Sequence, residues 1–276
     1  MSTAANERGP AATLSPETRA FYQRSLRELD RAGVPFLLGG AYALFQYTGV
    51  ERHTKDCDIF LKPEDFDAAA EVLQKAGLRT EITCAHWLGK AFNGDDFVDL
   101  IFGSGNGVFT VDDEWFTHAT DAKVFEVPVK VMPPEELIWS KAFIMERERF
   151  DGADVAHVFH AVAEKLDWGR LLRRFQEDHR VLFTHLVLFG FIYPGERHRV
   201  PAEVMRKLAA RLEEEVEAGG TGEKVCKGTF LSREQYLVDI GARGYADARV
   251  PPWGPLSQKD VDHWTASIFK APTKAA

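Results

Sequence analysis

The sequence predicts an α+β fold: a small mixed sheet flanked by helices, followed by a helical C-terminal region. Three observations carry this reading. Between Val34 and Val131, apolar runs of strand length alternate with amphipathic segments of helix length. From about residue 133 the strand signals give way to helical periodicity. The chain has 276 residues, 45% of them hydrophobic, enough for one large domain or two small ones. The expected division is a disordered arm over 1–14, a mixed core over 15–132 and a mainly helical domain over 133–276.

The elements follow in order. Ser15-Pro16-Glu17 reads as an N-cap, a proline at the first helical position and an acidic first turn. The helix it opens carries Phe21, Leu26 and Leu29 and ends at Gly33. Val34 to Leu38 reads as a buried strand, and Gly39-Gly40 leads from it into a helix closed by Gly49. Asp56 to Leu61 is a second strand. Lys62-Pro63-Glu64-Asp65 caps a third helix ending at Gly77, and Arg79 to Cys84 is strand-like. Trp87 to Phe92 and Phe97 to Phe102 form a hairpin around the Asn93-Gly94-Asp95-Asp96 turn. Ala122 to Val131 is a further strand or hairpin, with Pro128 pointing to an edge. Pro133-Pro134-Glu135-Glu136 opens a helix expected to run to Phe150 and to carry Lys141. Four further helical segments follow between Val155 and Gly219, then a glycine-rich loop over 219–227. The tail from Thr273 reads as loose.

Composition narrows the function. A formal charge of −8 argues against a broad basic nucleic-acid surface, though not against a local basic patch. Cys57, Cys84 and Cys226 lack metal-ligand spacing, and their odd number points to reduced thiols in a cytoplasmic protein. The longest apolar run, Val181 to Tyr193, is too short to span a bilayer, so no membrane partner is expected.

The chemistry concentrates between Gly39 and Asp99. Asp56 and Asp58, two apart on a strand, point to one face and repel each other without a counter-charge. A divalent cation with oxygen ligands resolves that repulsion, and Mg²⁺ is the usual choice beside phosphates. Gly39 and Gly40 let backbone N–H groups approach a phosphate closely at a helix start. Asp99 is an acid in an apolar strand, costly if buried and unpaired. A neighbouring strand would bring it to the same site, as metal ligand and general base. The bland alternative is a strand-end carboxylate, solvated or paired with an arginine.

These residues carry a resemblance. Gly39-Gly40, Ala43-Leu44, Gly49, Arg52, Thr54, Asp56 and Asp58, with Asp99 on a later strand, resemble the DNA polymerase β-like nucleotidyltransferase superfamily. The form of the motif is most similar to bacterial minimal nucleotidyltransferases of the abortive-infection (type IV toxin–antitoxin) toxin type. The helix from Pro133 to Phe150 and the turn at Asp151–Asp154 resemble that branch too, so the resemblance covers about residues 34–160. It implies a small mixed nucleotidyltransferase-type sheet and transfer of a nucleoside monophosphate from an NTP, such as ATP, to an acceptor hydroxyl. It also implies Mg²⁺, with Mn²⁺ as a substitute, held by Asp56, Asp58 and Asp99. By the same resemblance Gly39, Gly40, Arg52, Thr54, Lys141 and Asp154 bind the nucleotide, with Asp151 a weaker candidate than Asp154. The acceptor stays open among tRNA, a protein and a small molecule, and a toxin would bring an antitoxin partner. Cys57 stands where relatives carry an aliphatic residue. Leu44-Phe45 stands where antibiotic-modifying relatives often carry an acid, which lowers that reading.

Other residues have simpler readings beside functional ones. Lys141 could be a snorkelling surface lysine. Arg52 and Thr54 could shape the turn before the strand. Arg170, Arg173, Arg174 and Arg180 form a solvated face or a grip for RNA. His157 and His160 lack a third ligand, and Lys227 and Arg233 could approach a phosphate. A non-catalytic nucleotide sensor on the same fold is the principal rival, and a Mg²⁺-dependent phosphohydrolase fits the motif order less well.

Overall fold

A computed structural model describes residues 10, 14–52, 54 and 56–266. The expected disordered arm lies outside these, apart from residues 10 and 14, and so does the tail from Thr273. The chain divides into two compact units, 1–103 with 110–137 and 104–109 with 138–276.

In the first unit, α1 (Pro16–Arg31) begins where Ser15 accepts a hydrogen bond from the Thr18 N–H at 3.1 Å. It buries Phe21, Tyr22, Leu26 and Leu29, one apolar stripe of the helix. Next come β1 (Leu37–Leu38), α2 (Gly40–Thr48), β2 (Asp58–Phe60), α3 (Phe66–Lys75), β3 (Arg79–Cys84), β4 (Leu88–Asn93) and β5 (Asp96–Ile101). The unit continues with α4 (Asp113–Thr117), β6 (Thr120–Val124) and β7 (Val127–Val131). Seven strands form one mixed sheet in the order β3-β4-β5-β2-β1-β7-β6. β2 runs parallel to β5, and β1 parallel to β7, while the other pairs are antiparallel. The α+β class is as predicted.

Three local outcomes differ from expectation. β1 is shorter than Val34 to Leu38. The Ala122 to Val131 segment is a hairpin whose edge strand is β6, not the strand carrying Pro128. Pro128 is tolerated in β7 because β1 reaches β7 only at Val131, so its missing N–H breaks no ladder. α4 is absent from the sequence reading because five residues show no periodicity. It forms because Asp112 caps the Glu114 N–H at 3.0 Å and Trp115 is fully buried against Phe60.

Along the chain, α5 (Pro134–Ala142) follows β7, its first four residues counted with the first unit and the rest with the second. It stops well short of Phe150, correcting the longer expected helix. The Ile144 carbonyl accepts from the Asp151 N–H at 3.1 Å, and the Met145 N–H donates to the Leu231 carbonyl at 3.0 Å. The Glu146 carboxylate accepts from Ser232 and Arg233. These contacts turn the chain back on itself before residue 151.

The second unit is mainly helical. It holds α6 (Gly152–Val162), α7 (Trp168–Phe175), α8 (His179–Ile192) and α9 (Ala202–Ala218), then β8 (Val225–Cys226), α10 (Leu237–Gly241), β9 (Ala246–Asp247) and α11 (Gln258–Ala266). Val155, Phe159, Leu171, Phe175, Leu182, Leu186 and Phe189 are buried in it. Among the described residues no helix is long and apolar enough to cross a membrane.

Candidate active site

β2 starts one residue after Cys57, and its register builds the site. Asp58 pairs with Asp99 of β5 in parallel register, and Lys90 of β4 pairs with Asp99 in antiparallel register. Directly paired residues share a face of a sheet, so Lys90, Asp99 and Asp58 stand in one row. The row continues to Gly39 just past β1, whose N–H donates to the Asp58 carbonyl at 2.9 Å. Cys57 alternates to the opposite face and is fully buried. Its carbonyl accepts from the Asp99 N–H at 3.0 Å. Burial, then the charges of Asp58, Asp99 and Asp56, push its thiol well above the usual range. Cys57 is therefore a packing residue and not a nucleophile.

The glycine pair is sterically required. A Cβ on Gly40 would fall 1.7 Å from the Asp58 carboxylate oxygen Oδ2, and Gly40 has φ +54°. A Cβ on Gly39 would strike the Phe60 ring at 2.3 Å. Asp58 thus lies against the N-terminus of α2, where exposed N–H groups and the helix dipole favour negative charge. Tyr47 of α2 donates to the Met132 carbonyl at 2.8 Å and ties that helix to the chain following β7.

Asp99 is only 15% exposed at its side chain and is ion-paired with Lys90, itself 19% exposed, at 2.5 Å. Burial pushes the Asp99 carboxyl above its ordinary value, Lys90 pulls it down, and the charge of Asp56 adds to the rise. Asp56 is therefore electrostatically within reach of Asp99. Thr54 fixes the approach to it: its hydroxyl accepts from the Asp56 N–H at 3.1 Å and donates to the Asp56 carbonyl at 3.2 Å. That is the turn-shaping role, while Arg52 is exposed. Among the described residues no three His, Cys, Asp or Glu side chains are grouped as a ready metal site. What the sheet supplies is a row of hard oxygen donors with a glycine-lined cradle beside Asp58.

In the second unit, Lys141 is buried and not a snorkelling surface lysine. Its ammonium lies 2.8 Å from Asp151 and 2.8 Å from Asp154. Arg149 adds a two-pronged contact to Asp151, both bonds 2.8 Å. Burial pushes the Asp151 carboxyl up, but Arg149 and Lys141 together hold it down at about 2. Asp151, the weaker sequence candidate, is thus as close a partner of Lys141 as Asp154.

Several basic candidates are already committed to carboxylates. Arg180 pairs with Glu215 at 2.7 Å, Lys227 with Asp178 at 2.9 Å and Arg233 with Glu146 at 3.2 Å. Arg170 is buried, and Arg174 lies over the Trp139 ring at 5.2 Å. Of the four, Arg173 and Arg180 are exposed and Arg170 is not, so the cluster does not form one continuous solvated face. His160 packs on Tyr193. The residue that sequence reasoning missed is Lys90, although its signal was present. A two-residue turn at Gly94-Asp95 fixes the hairpin register Asn93↔Asp96, and three steps along that register put Lys90 opposite Asp99.

A mixed sheet with paired acids beside a glycine-started helix defines a nucleotidyl-transfer class of site. The family model for an uncharacterised nucleotidyltransferase matches residues 19–189 of the 276. The chain belongs to that family and is a nucleotidyltransferase, in keeping with the polymerase β-like resemblance of its motif. Among curated proteins none matches. Similar solved structures include the antibiotic-resistance factor ANT(2'')-Ia, 18% identical over 74% of this chain and 96% of that one, TM-score 0.38. The lincosamide antibiotic adenylyltransferase LnuA is 13% identical over 52% of this chain and 96% of that one, TM-score 0.38. An antigenic nucleotidyltransferase-like protein from Paracoccidioides brasiliensis is 13% identical over 67% and 92%, TM-score 0.43.

Proposed function

We propose that the chain moves a nucleoside monophosphate from an NTP, ATP among them, to an acceptor hydroxyl in a Mg²⁺-dependent reaction, with Mn²⁺ able to substitute. The observation that carries this is the register of Asp58 against Asp99, with Gly40 stripped of a side chain beneath the Asp58 carboxylate. The donor set is all carboxylate oxygen, which fits Mg²⁺. Asp58, Asp99 and Asp56 are the residues that would hold it. Bound there, the ion would neutralise phosphate charge and acidify the acceptor hydroxyl.

The chain's own residues do the rest. N–H groups of Gly40 and the start of α2 hold the β- and γ-phosphates, while Gly39, whose own N–H is given to the Asp58 carbonyl, offers them an approach free of a side chain. Asp99 takes the proton of the acceptor hydroxyl, whose oxygen then bonds to the α-phosphorus. The bond from that phosphorus to its bridging oxygen breaks, and pyrophosphate leaves. No covalent enzyme intermediate is needed, so positioning and charge neutralisation supply the rate. Lys141, fixed by Asp151 and Asp154, is the proposed phosphate contact of the second unit, and Arg52 that of the loop before β2.

The acceptor hydroxyl belongs to tRNA, a protein or a small molecule. A toxin role, with its antitoxin partner, rests on the motif resemblance. The test is incubation with Mg²⁺ and each α-³²P-labelled NTP against total tRNA, a cell lysate and panels of aminoglycosides and lincosamides. Label in one acceptor class, lost in Asp58→Asn, supports transfer and names the class. Nucleotide binding with no label in any acceptor supports the non-catalytic sensor instead.

A further inference from the structure

We propose that Lys90 is a resident counter-cation of the acid row, which holds Asp99 until a divalent cation displaces it. This rests on the reading of Asp58 and Asp99 as metal ligands and makes Lys90 a positioning residue for that site. The register places Lys90 directly across from Asp99 and therefore one strand beyond the Asp58–Asp99 pair. Its ammonium is 2.5 Å from Asp99 Oδ1 and 3.7 Å from the Phe97 ring centroid. Both partners of the ion pair are more than four-fifths covered, so this is no solvated surface contact.

The two contacts have different roles. Asp99 is the seat the ammonium must give up if a divalent cation is to use both carboxylates of the row. Phe97 is the seat it can keep, because a cation over an aromatic face is stabilised without a carboxylate. A lysine suits this exchange: its charge is a point at the end of a flexible four-carbon stem, with no fixed fork to unlock. The neighbour on the other side does not compete. Glu81 pairs with Lys90 in register, yet its carboxylate is bonded to Arg79. The consequence is a raised threshold for cation binding, paid back by a row of acids that stays ordered without one.

The test titrates Mn²⁺ alone, followed by calorimetry and by its paramagnetic resonance signal, into wild type, Lys90→Met, Lys90→Arg and Asp58→Asn. Removing the competing charge should tighten Mn²⁺ binding in Lys90→Met by roughly threefold to tenfold, as expected for a mostly covered ion pair. Lys90→Arg, which keeps the charge and adds a fork that can grip Asp99 with two hydrogen bonds, should bind Mn²⁺ no more tightly than wild type. In EDTA, Lys90→Met should melt at a lower temperature than wild type. Lys90→Gln repeats the comparison with a neutral donor to Asp99 if methionine folds poorly. A folded Lys90→Met with unchanged or weaker Mn²⁺ affinity overturns the proposal while leaving the site reading intact. Equal Mn²⁺ binding by wild type and Asp58→Asn overturns the site reading itself, and the role of Lys90 with it.

Discussion

At the scale of single residues, Gly40 and Asp58 determine each other. A side chain at position 40 would need the space the Asp58 carboxylate fills, and the backbone there has φ +54°. Gly40→Ala should cost about 1 kcal/mol from the left-handed backbone alone. Displacement of Asp58 should cost far more in turnover, on the order of a hundredfold, because misplacement by an ångström is enough for that. Steady-state kinetics beside a thermal melt separates the two effects. Part of this was legible in advance: a glycine pair between strand and helix, followed by Asp56-Cys57-Asp58, is where the sequence put the proposed site. Lys90 went unread because its importance lies in what stands across the sheet, which is a property of register and not of its sequence neighbours.

At the scale of elements, the turn between α5 and α6 shows where periodicity misleads. The segment from Leu137 to Phe150 has helical composition, but the ion pairs of Lys141 with Asp151 and Asp154 require the chain to double back. Tertiary pairing overrode local propensity there. The same cluster gives a pH dependence. Asp151 titrates at about 2 in the folded chain, below its ordinary 3.8. Its contribution is complete above about pH 4 and is lost as pH falls toward 2. It amounts to about 2 kcal/mol. Asp151→Asn should therefore lower stability at neutral pH and flatten the acid limb, as read by denaturant midpoints between pH 2 and 6. In the β6–β7 hairpin, Phe125 and Glu126 have φ of +50° and +62°. Both central residues of a tight hairpin turn are then left-handed, the type I′ pattern that glycine favours. Phe125 is buried, whereas Glu126 is exposed, so Glu126→Gly should stabilise the chain by about 0.5–1 kcal/mol in the same measurement.

At the scale of the whole molecule, the acidic balance and the fold agree. The net charge of −8 is distributed so that Arg180, Lys227 and Arg233 are each met by a carboxylate. Net charge was readable from composition, but which basic residues remain available was not, because that depends on helices brought together from distant parts of the chain. The region from Gly219 onward was the least legible for the same reason. Its short strands β8 and β9 pair Val225–Cys226 with Ala246–Asp247, and the Asp247–Arg249–Thr229 cluster beside them is buried, with no periodic signature to announce it. The family match over residues 19–189 covers the sheet and the Lys141 cluster but ends before this region. The proposed transfer stands or falls with Asp58, seated against Gly40 and in register with Asp99. Pyrophosphate release in the presence of Mg²⁺, NTP and acceptor, compared between wild type and Asp58→Asn at matched thermal stability, tests it most directly. A loss on the order of a thousandfold or more with the fold intact is expected. Equal release by a folded Asp58→Asn variant would contradict it.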